Sequence, residues 1–281
     1  MRFLILFLCV LICSCSQSPT KSKPLEIIDA HLHFNSKKMK LFRQPSPMLS
    51  EEFRKNSVVG GVVHFSDAEN FQVIVDRTGP VQWITCMGLH ENDTASKVEK
   101  GIREGRFQCI KVYLGYVPKW ATDPFYKSFY RLAEKYQIPV VFHTGDTHDK
   151  MAKVKYADPL QIDEVAVEYP KVKFVIAHMG NPWFDSAAEI VYKNDNVYVD
   201  VSGLLLGDVS KMDQEALEEL VIKPVKWFYA YVENPKKFLF GSDWPLVAIQ
   251  PYIDLMKKII PEKDWEGFFH GNAKQVFGFK R

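Results

Sequence analysis

From Pro24 onward, short apolar runs rich in β-branched residues alternate with amphipathic helical stretches, and this alternation is the strongest constraint on the fold. Eight candidate strands can be read: Leu25 to His31, Val58 to Phe65, Val81 to Leu89, Phe107 to Leu114, Pro139 to His143, Lys173 to His178, Val197 to Ser202 and Phe238 to Ser242. Most are continuously apolar, the pattern of strands buried on both faces of a parallel sheet. Helical candidates lie between them: Thr94 to Glu104, Pro124 to Tyr136, Pro159 to Tyr169, Phe184 to Lys193, Met212 to Val232 and Pro251 to Ile260. Eight strand and helix units in a 281-residue chain predict an α/β fold of the closed (β/α)8 TIM barrel type, which needs about 250 residues. No long linker, internal repeat or low-complexity tract marks a second domain, so 25–281 is expected to be one barrel domain.

The first residues follow a different logic. Met1 and Arg2 form a minimal positive region, and Phe3 to Ile12 an apolar one, the layout of a secretory signal. As a helix, residues 3–15 would reach only roughly 20 Å, short of the roughly 30 Å of a bilayer's hydrocarbon core. Ile12-Cys13-Ser14-Cys15 resembles a bacterial lipobox, with Cys15 the better lipid acceptor because Ile12 is too bulky to precede Cys13. That resemblance implies a signal peptide over 1–14, a lipidated tether over 15–24, and membrane attachment through acyl chains on Cys15. Ser16 is not the aspartate expected of inner-membrane retention, so the expected location is the bacterial cell envelope, on the outer membrane facing the periplasm.

Cys9 and Cys13 would leave with the signal, and Cys86 and Cys109 sit in apolar strand-like runs, so these two are expected as buried free thiols rather than a disulfide. No C-x-x-C zinc spacing occurs. A net charge of +2 without a basic stripe argues against nucleic acid as a partner.

The histidines carry the functional signal. Four of the eight, His31, His33, His143 and His178, fall at or just beyond the carboxyl ends of predicted strands, and Asp243 does so after the eighth. In a barrel of this kind those ends share one mouth, where catalytic groups collect. His31 and His33 alternate along an extended segment and so point to one side. Imidazoles and a carboxylate suit zinc and leave a position open for water.

These segments resemble the amidohydrolase-related family of the amidohydrolase superfamily. The residues in question are Ile28-Asp29-Ala30-His31-Leu32-His33, Val141-Phe142-His143-Thr144-Gly145, Ile176-Ala177-His178-Met179-Gly180 and Phe240-Gly241-Ser242-Asp243-Trp244-Pro245. Asp200-Val201-Ser202-Gly203-Leu204 and the terminal Gly271-Asn272-Ala273 extend the resemblance over about residues 26–277. It implies that His31, His33, His143 and Asp243 bind a divalent metal, that His178 stands beside it, and that Asp243 accepts a proton from a metal-acidified water.

Lys111, at the end of the fourth strand, has two open readings. Carboxylated, it would bridge two ions, with His143 and His178 on the second; as a cation, it would meet a substrate carboxylate. The expectation is one zinc ion and an unmodified, charged Lys111, with two ions as the alternative. His64, Ser66, Tyr113 and Ser202 are expected substrate contacts, Trp183 and Trp244 candidate pocket walls, and Asp200 a structural support.

The expected activity is hydrolysis of a lactone, ester or amide bond in a small carboxylated or sugar-derived molecule. Non-oxidative decarboxylation at the same site is the alternative. A tethered binding protein without catalysis is the reading from another class.

Overall fold

The computed structural model describes residues 24–33, 51–65 and 80–280. Ser66, Cys15 and the expected signal peptide over 1–14 lie outside the described residues. Eight strands, all parallel, run in sequence order: β1 (Ile27–His33), β2 (Val58–Phe65), β3 (Gln82–Gly88), β4 (Cys109–Tyr113), β5 (Val140–His143), β6 (Phe174–Ile176), β7 (Val197–Asp200) and β8 (Phe238–Leu239). The seam between β1 and the segment following β8 is joined by backbone hydrogen bonds. Ala30 donates to Phe240 O at 2.8 Å, Asp243 to His31 O at 2.8 Å and His33 to Trp244 O at 2.9 Å. The chain is therefore a (β/α)8 barrel.

Among the described residues, helices that pack outside or below it include α1 (Ala95–Arg103), α2 (Pro124–Tyr136), α3 (Ile162–Glu168), α4 (Phe184–Lys193), α5 (214–232), α6 (Ile249–Ile259) and α7 (Asn272–Phe277). Local chemistry starts and stops them. Asp123 caps α2 by accepting from Phe125 N–H, Pro124 supplies its first turn, and Gln137 in the left-handed region ends it. The predicted Met212 to Val232 helix is one run that widens to a π turn over Glu218–Ile222. None of the described helices is long and apolar enough to cross a membrane.

Two apolar layers follow from strand alternation. Ile27, Val63, Ile110, Val112, Phe142, Phe174, Val199 and Phe238 face the helices. Ile28, Ala30, Val62, Cys86, Cys109, Val141, Val175 and Leu239 fill the barrel interior, closed below by Val276, Phe277 and Phe279.

In that interior the expectation of free thiols fails, because Cys86 and Cys109 form a disulfide. They sit 23 residues apart in sequence but are register partners on β3 and β4, with Cα atoms 4.3 Å apart. Only strand register brings them together, and register is not legible from two isolated apolar runs.

β2 has the expected bounds and β1 is shifted by two residues, while β3 to β8 are shorter than read. β6 stops at Ile176 because the chain turns sharply there, with His178 and Met179 both at positive φ.

Candidate metal centre

Alternation along β1 would by itself misplace the ligands. Ile28 and Ala30 face the interior, so strict period two would send His31 outward. The pairing of β1 with β2 shifts between Asp29 and Leu32, and this irregularity changes the phase. Leu32 turns to the helix layer, while His31 and His33 aim at the mouth with ring centroids 5.1 Å apart. Gly241 makes room for this turn, since a Cβ there would stand 2.9 Å from His31 Cβ. Below, the buried Asp29 accepts from Ser242 N–H at 2.9 Å and Ser242 Oγ–H at 2.5 Å, locking β1 to the loop that carries Asp243.

The other strands deliver their residues in simple phase. Two residues above Cys109, Lys111 is fully buried, with Nζ 3.2 Å from His31 Nε2. His64 stands two above Val62 with its ring centroid 4.1 Å from that of His31. His143 stands two above Val141, Asp200 ends β7, and Ser202 lies in the turn just beyond it. His178 and Asp243 are positioned differently, by left-handed turns with φ of 59° and 62°. Gly203, itself at φ 58°, lets them approach, because a Cβ there would lie 2.7 Å from Asp243 Oδ2 and 3.0 Å from His178 Nδ1.

Hydrogen-bond partners assign the tautomers. His31 Nδ1 lies 2.8 Å from the acceptor-only carboxylate of Asp200, so Nδ1 carries the proton and Nε2 presents its lone pair to the mouth. That Nε2 is 3.2 Å from His33 Nε2 and 3.9 Å from Asp243 Oδ1, and His33 Nε2 is 3.2 Å from the same Oδ1. Ligands on a tetrahedral ion with bonds of 2.0–2.1 Å are about 3.3 Å apart, so these three atoms suit one divalent cation. They form a three-ligand group among the described residues.

His143 does not belong to that group. Its Nε2 donates to the Asp146 carbonyl at 2.9 Å, which leaves Nδ1 bare, facing His178 Nε2 at 3.1 Å. His178 Nδ1 lies between the Ser202 carbonyl at 3.1 Å and Ser202 Oγ at 2.9 Å. The Ser202 hydroxyl donates to Asp200 Oδ1, so His178 Nδ1 is the donor to the carbonyl and its Nε2 is bare as well. Two imidazole lone pairs thus face each other.

Burial keeps the rings neutral. It holds His31, His64 and His143 well below the usual imidazole range, aided by the Lys111 cation and by neighbouring rings, and pulls His178 down to about 4. Burial also lowers Lys111 to about 8, against the pull of Asp200 and Asp243. Neutral imidazole is the form that binds metal.

The family model described as Amidohydrolase matches residues 28–279. This chain belongs to the amidohydrolase family. No curated protein matches it. Among solved structures, an uncharacterized TIM-barrel protein from Bordetella bronchiseptica is 18% identical with a TM-score of 0.71, over 90% of this chain and 99% of that one. A probable 2-pyrone-4,6-dicarboxylic acid hydrolase from Acinetobacter baumannii is 17% identical with a TM-score of 0.66, over 90% and 100%. The 5-carboxyvanillate decarboxylase of Sphingomonas paucimobilis is 13% identical with a TM-score of 0.65, over 91% and 100%. At these identities the likeness is one of fold.

Within this amidohydrolase the remaining candidates divide. Tyr113 lies at the mouth, its ring 5.7 Å from Lys111 Nζ. His64 is buried, and neither ring nitrogen has a hydrogen-bond partner among the described residues. Ser202 is fully buried and engaged with Asp200 and His178. Trp244 is buried, whereas Trp183 lines a surface cleft with Trp227, away from the histidines.

Two residues do more than the sequence reading assigned them: Asp200 was expected only as a structural support, and Tyr116 was not singled out. Asp200 connects the histidine groups, holding His31 through Oδ2 and the His178 N–H, at 3.1 Å, through Oδ1. Tyr116 places its ring edge-on to His143, 4.8 Å between centroids, with its hydroxyl accepting from His148 N–H. A polar residue two before Ser202 on an apolar strand was the available signal for Asp200; for Tyr116 there was none.

Proposed function

We propose that this amidohydrolase uses a divalent metal, zinc in the first instance, to hydrolyse a lactone, ester or amide bond in a small carboxylated or sugar-derived substrate. The observation that carries the reading is the trio of His31 Nε2, His33 Nε2 and Asp243 Oδ1 at 3.2–3.9 Å, with the first lone pair oriented by Asp200. A bound ion supplies Lewis acidity and an acidified water, whose pKa falls from 15.7 toward about 7.

The chain's own residues do the rest. His31, His33 and Asp243 Oδ1 would hold the ion, and the Asp243 carboxylate would take the proton of the attacking water. His178, its Nδ1 proton held by the Ser202 carbonyl, presents the bare Nε2 beside the ion as a base or cation ligand, and Tyr113 walls the mouth.

The facing pair of His143 Nδ1 and His178 Nε2 favours hydrolysis over decarboxylation, because it offers a second cation a place beside the first. Two adjacent cations suit acyl transfer, in which the attacking and the polarised oxygen both need stabilising. An ammonium on Lys111 beside His31 Nε2 would oppose a metal there, and burial already brings the amine within reach of neutrality. Carboxylated, Lys111 would give the two cations a shared ligand; cationic, it would contact the substrate.

Metal analysis, the intact mass of the Lys111 peptide, and a panel of lactones, esters, amides and aromatic carboxylates test the reading together. Hydrolysis with bound metal is expected. Carbon dioxide release without water incorporation would replace it with decarboxylation, and inertness toward every substrate with metal bound would favour a binding role.

We further propose that the chain is exported and held at the outer membrane by lipid on Cys15, with residues 15–24 as its tether and a small molecule as the partner of the barrel. The support is the leader's sequence. Cys15→Ala should abolish acyl labelling and release the protein from the membrane fraction; unchanged partitioning would overturn the anchor.

A further inference from the structure

The Cys86–Cys109 bond sits where chemistry cannot reach it in the folded protein. Both cysteines are fully buried in the barrel interior, with Phe277 and Phe279 closing the interior below. Above them, two residues along the paired strands and past Met87 and Ile110, Gly88 and Lys111 are register partners on the mouth side. Thiol–disulfide exchange needs a thiolate to approach a sulfur directly, so no external oxidant or reductant can act on this pair while β8 is joined to β1.

We infer that the bond is made while the barrel is still open, by exchange with an external protein disulfide in an oxidising compartment, and that after closure it pins β3 to β4 directly beneath Lys111. The chemistry balances. One cysteine thiolate attacks the external disulfide, forming a mixed disulfide and releasing one thiolate. The second cysteine then attacks its partner's sulfur and releases the other. Two protein thiols lose their protons and are oxidised, and the external disulfide leaves as a dithiol.

Disulfides of this kind belong to compartments that are not kept reduced. The inference draws on strand register and burial alone. It is independent of the leader sequence and of which reaction the metal site performs.

The test is a thiol count on the purified full-length chain. Denatured in an alkylating reagent without reductant, it should give Cys86 and Cys109 peptides that are unlabelled and joined. Dithiothreitol should reduce the folded chain on the order of 1,000-fold more slowly than the denatured chain, since reduction must wait for an opening close to global unfolding. Chain refolded in reductant should melt at a lower temperature and retain less zinc than chain refolded with oxidised glutathione.

A Cys86→Ala/Cys109→Ala chain should show no difference between those two refolding conditions. If it shows the same difference, the effect does not arise from this bond. Alkylated Cys86 and Cys109 in the purified chain, reduction of the folded form as fast as the denatured one, or equal melting and zinc content in the two wild-type preparations would each overturn the inference.

Discussion

Two successive layers inside one barrel, built by its strands and the turns that follow them, have opposite chemistry. The lower layer, with Ile28, Ala30, Val62, Cys86, Cys109, Val141, Val175 and Leu239, is apolar and cross-linked. The upper layer, with His31, His33, His64, Lys111, His143, His178, Asp200 and Asp243, is almost wholly ionisable, and all but His33 are buried.

The upper layer is costly by itself, because buried polar groups are stable only when partnered. Asp200 and Ser202 meet part of that demand, and cations would meet the remainder. The lower layer lends rigidity without chemistry. The contrast teaches that the site is a polar lining held by an apolar plug, and that the two should respond differently to substitution.

The sharpest break of that contrast is at the ligands. His31→Ala or His33→Ala should lose bound metal and turnover together, and metal should no longer raise the melting temperature, since the ion binds only the folded state. Wild-type metal content in both variants would sink the assignment.

In the plug, Ile28→Ala should cost about 2–5 kcal/mol of stability by leaving a cavity, while the metal bound per folded chain stays unchanged. Parallel denaturant melts and metal analysis would show the separation, and metal loss in proportion to stability would erase the distinction between layers.

Asp200→Asn keeps the shape but removes the carboxylate that orients His31. Metal affinity should fall by about 10–100-fold, the usual effect of disturbing a ligand's hydrogen-bond partner, with melting behaviour of the metal-free protein little altered. Competition with a chelator reads this directly, and an unchanged affinity would leave His31 oriented by packing alone.

The smallest effect belongs to the outer ring of helices. Thr94→Ala removes the N-cap of α1, where Thr94 Oγ1 accepts from Lys97 N–H at 3.4 Å, and should cost about 1 kcal/mol or less without change in metal or activity. Altered turnover would show that the helix layer and the mouth are coupled.

How much was legible differs element by element. The end of β5 was readable because its apolar run stops where the chain meets the mouth, so His143 announces itself as a polar group at a strand end, whereas Lys111 stands out as a polar residue inside the apolar run of β4. β1 was readable as a strand carrying two histidines, but the irregularity that turns His31 inward comes from its pairing with β2 and has no sequence signature.

His178 and Asp243 were found by resemblance to motifs. The left-handed turns that aim them come from the packing of Gly203 and the Asp29–Ser242 bonds. Asp200 illustrates the limit best: it was visible as a polar residue on β7, while its two histidine partners lie 169 and 22 residues away.

The sequence by itself determined the alternation of strand and helix, the closed barrel it implies, and the residue types gathered at its mouth, because period, length and strand-end position are local properties of the chain. Only the tertiary structure decided which donors face which: His31 with His33 and Asp243, His143 with His178, and Cys86 with Cys109. Those pairings depend on register between strands and on the phase of each strand about the barrel axis. Register and phase are set by the packing of all eight strands at once, so no single segment encodes them.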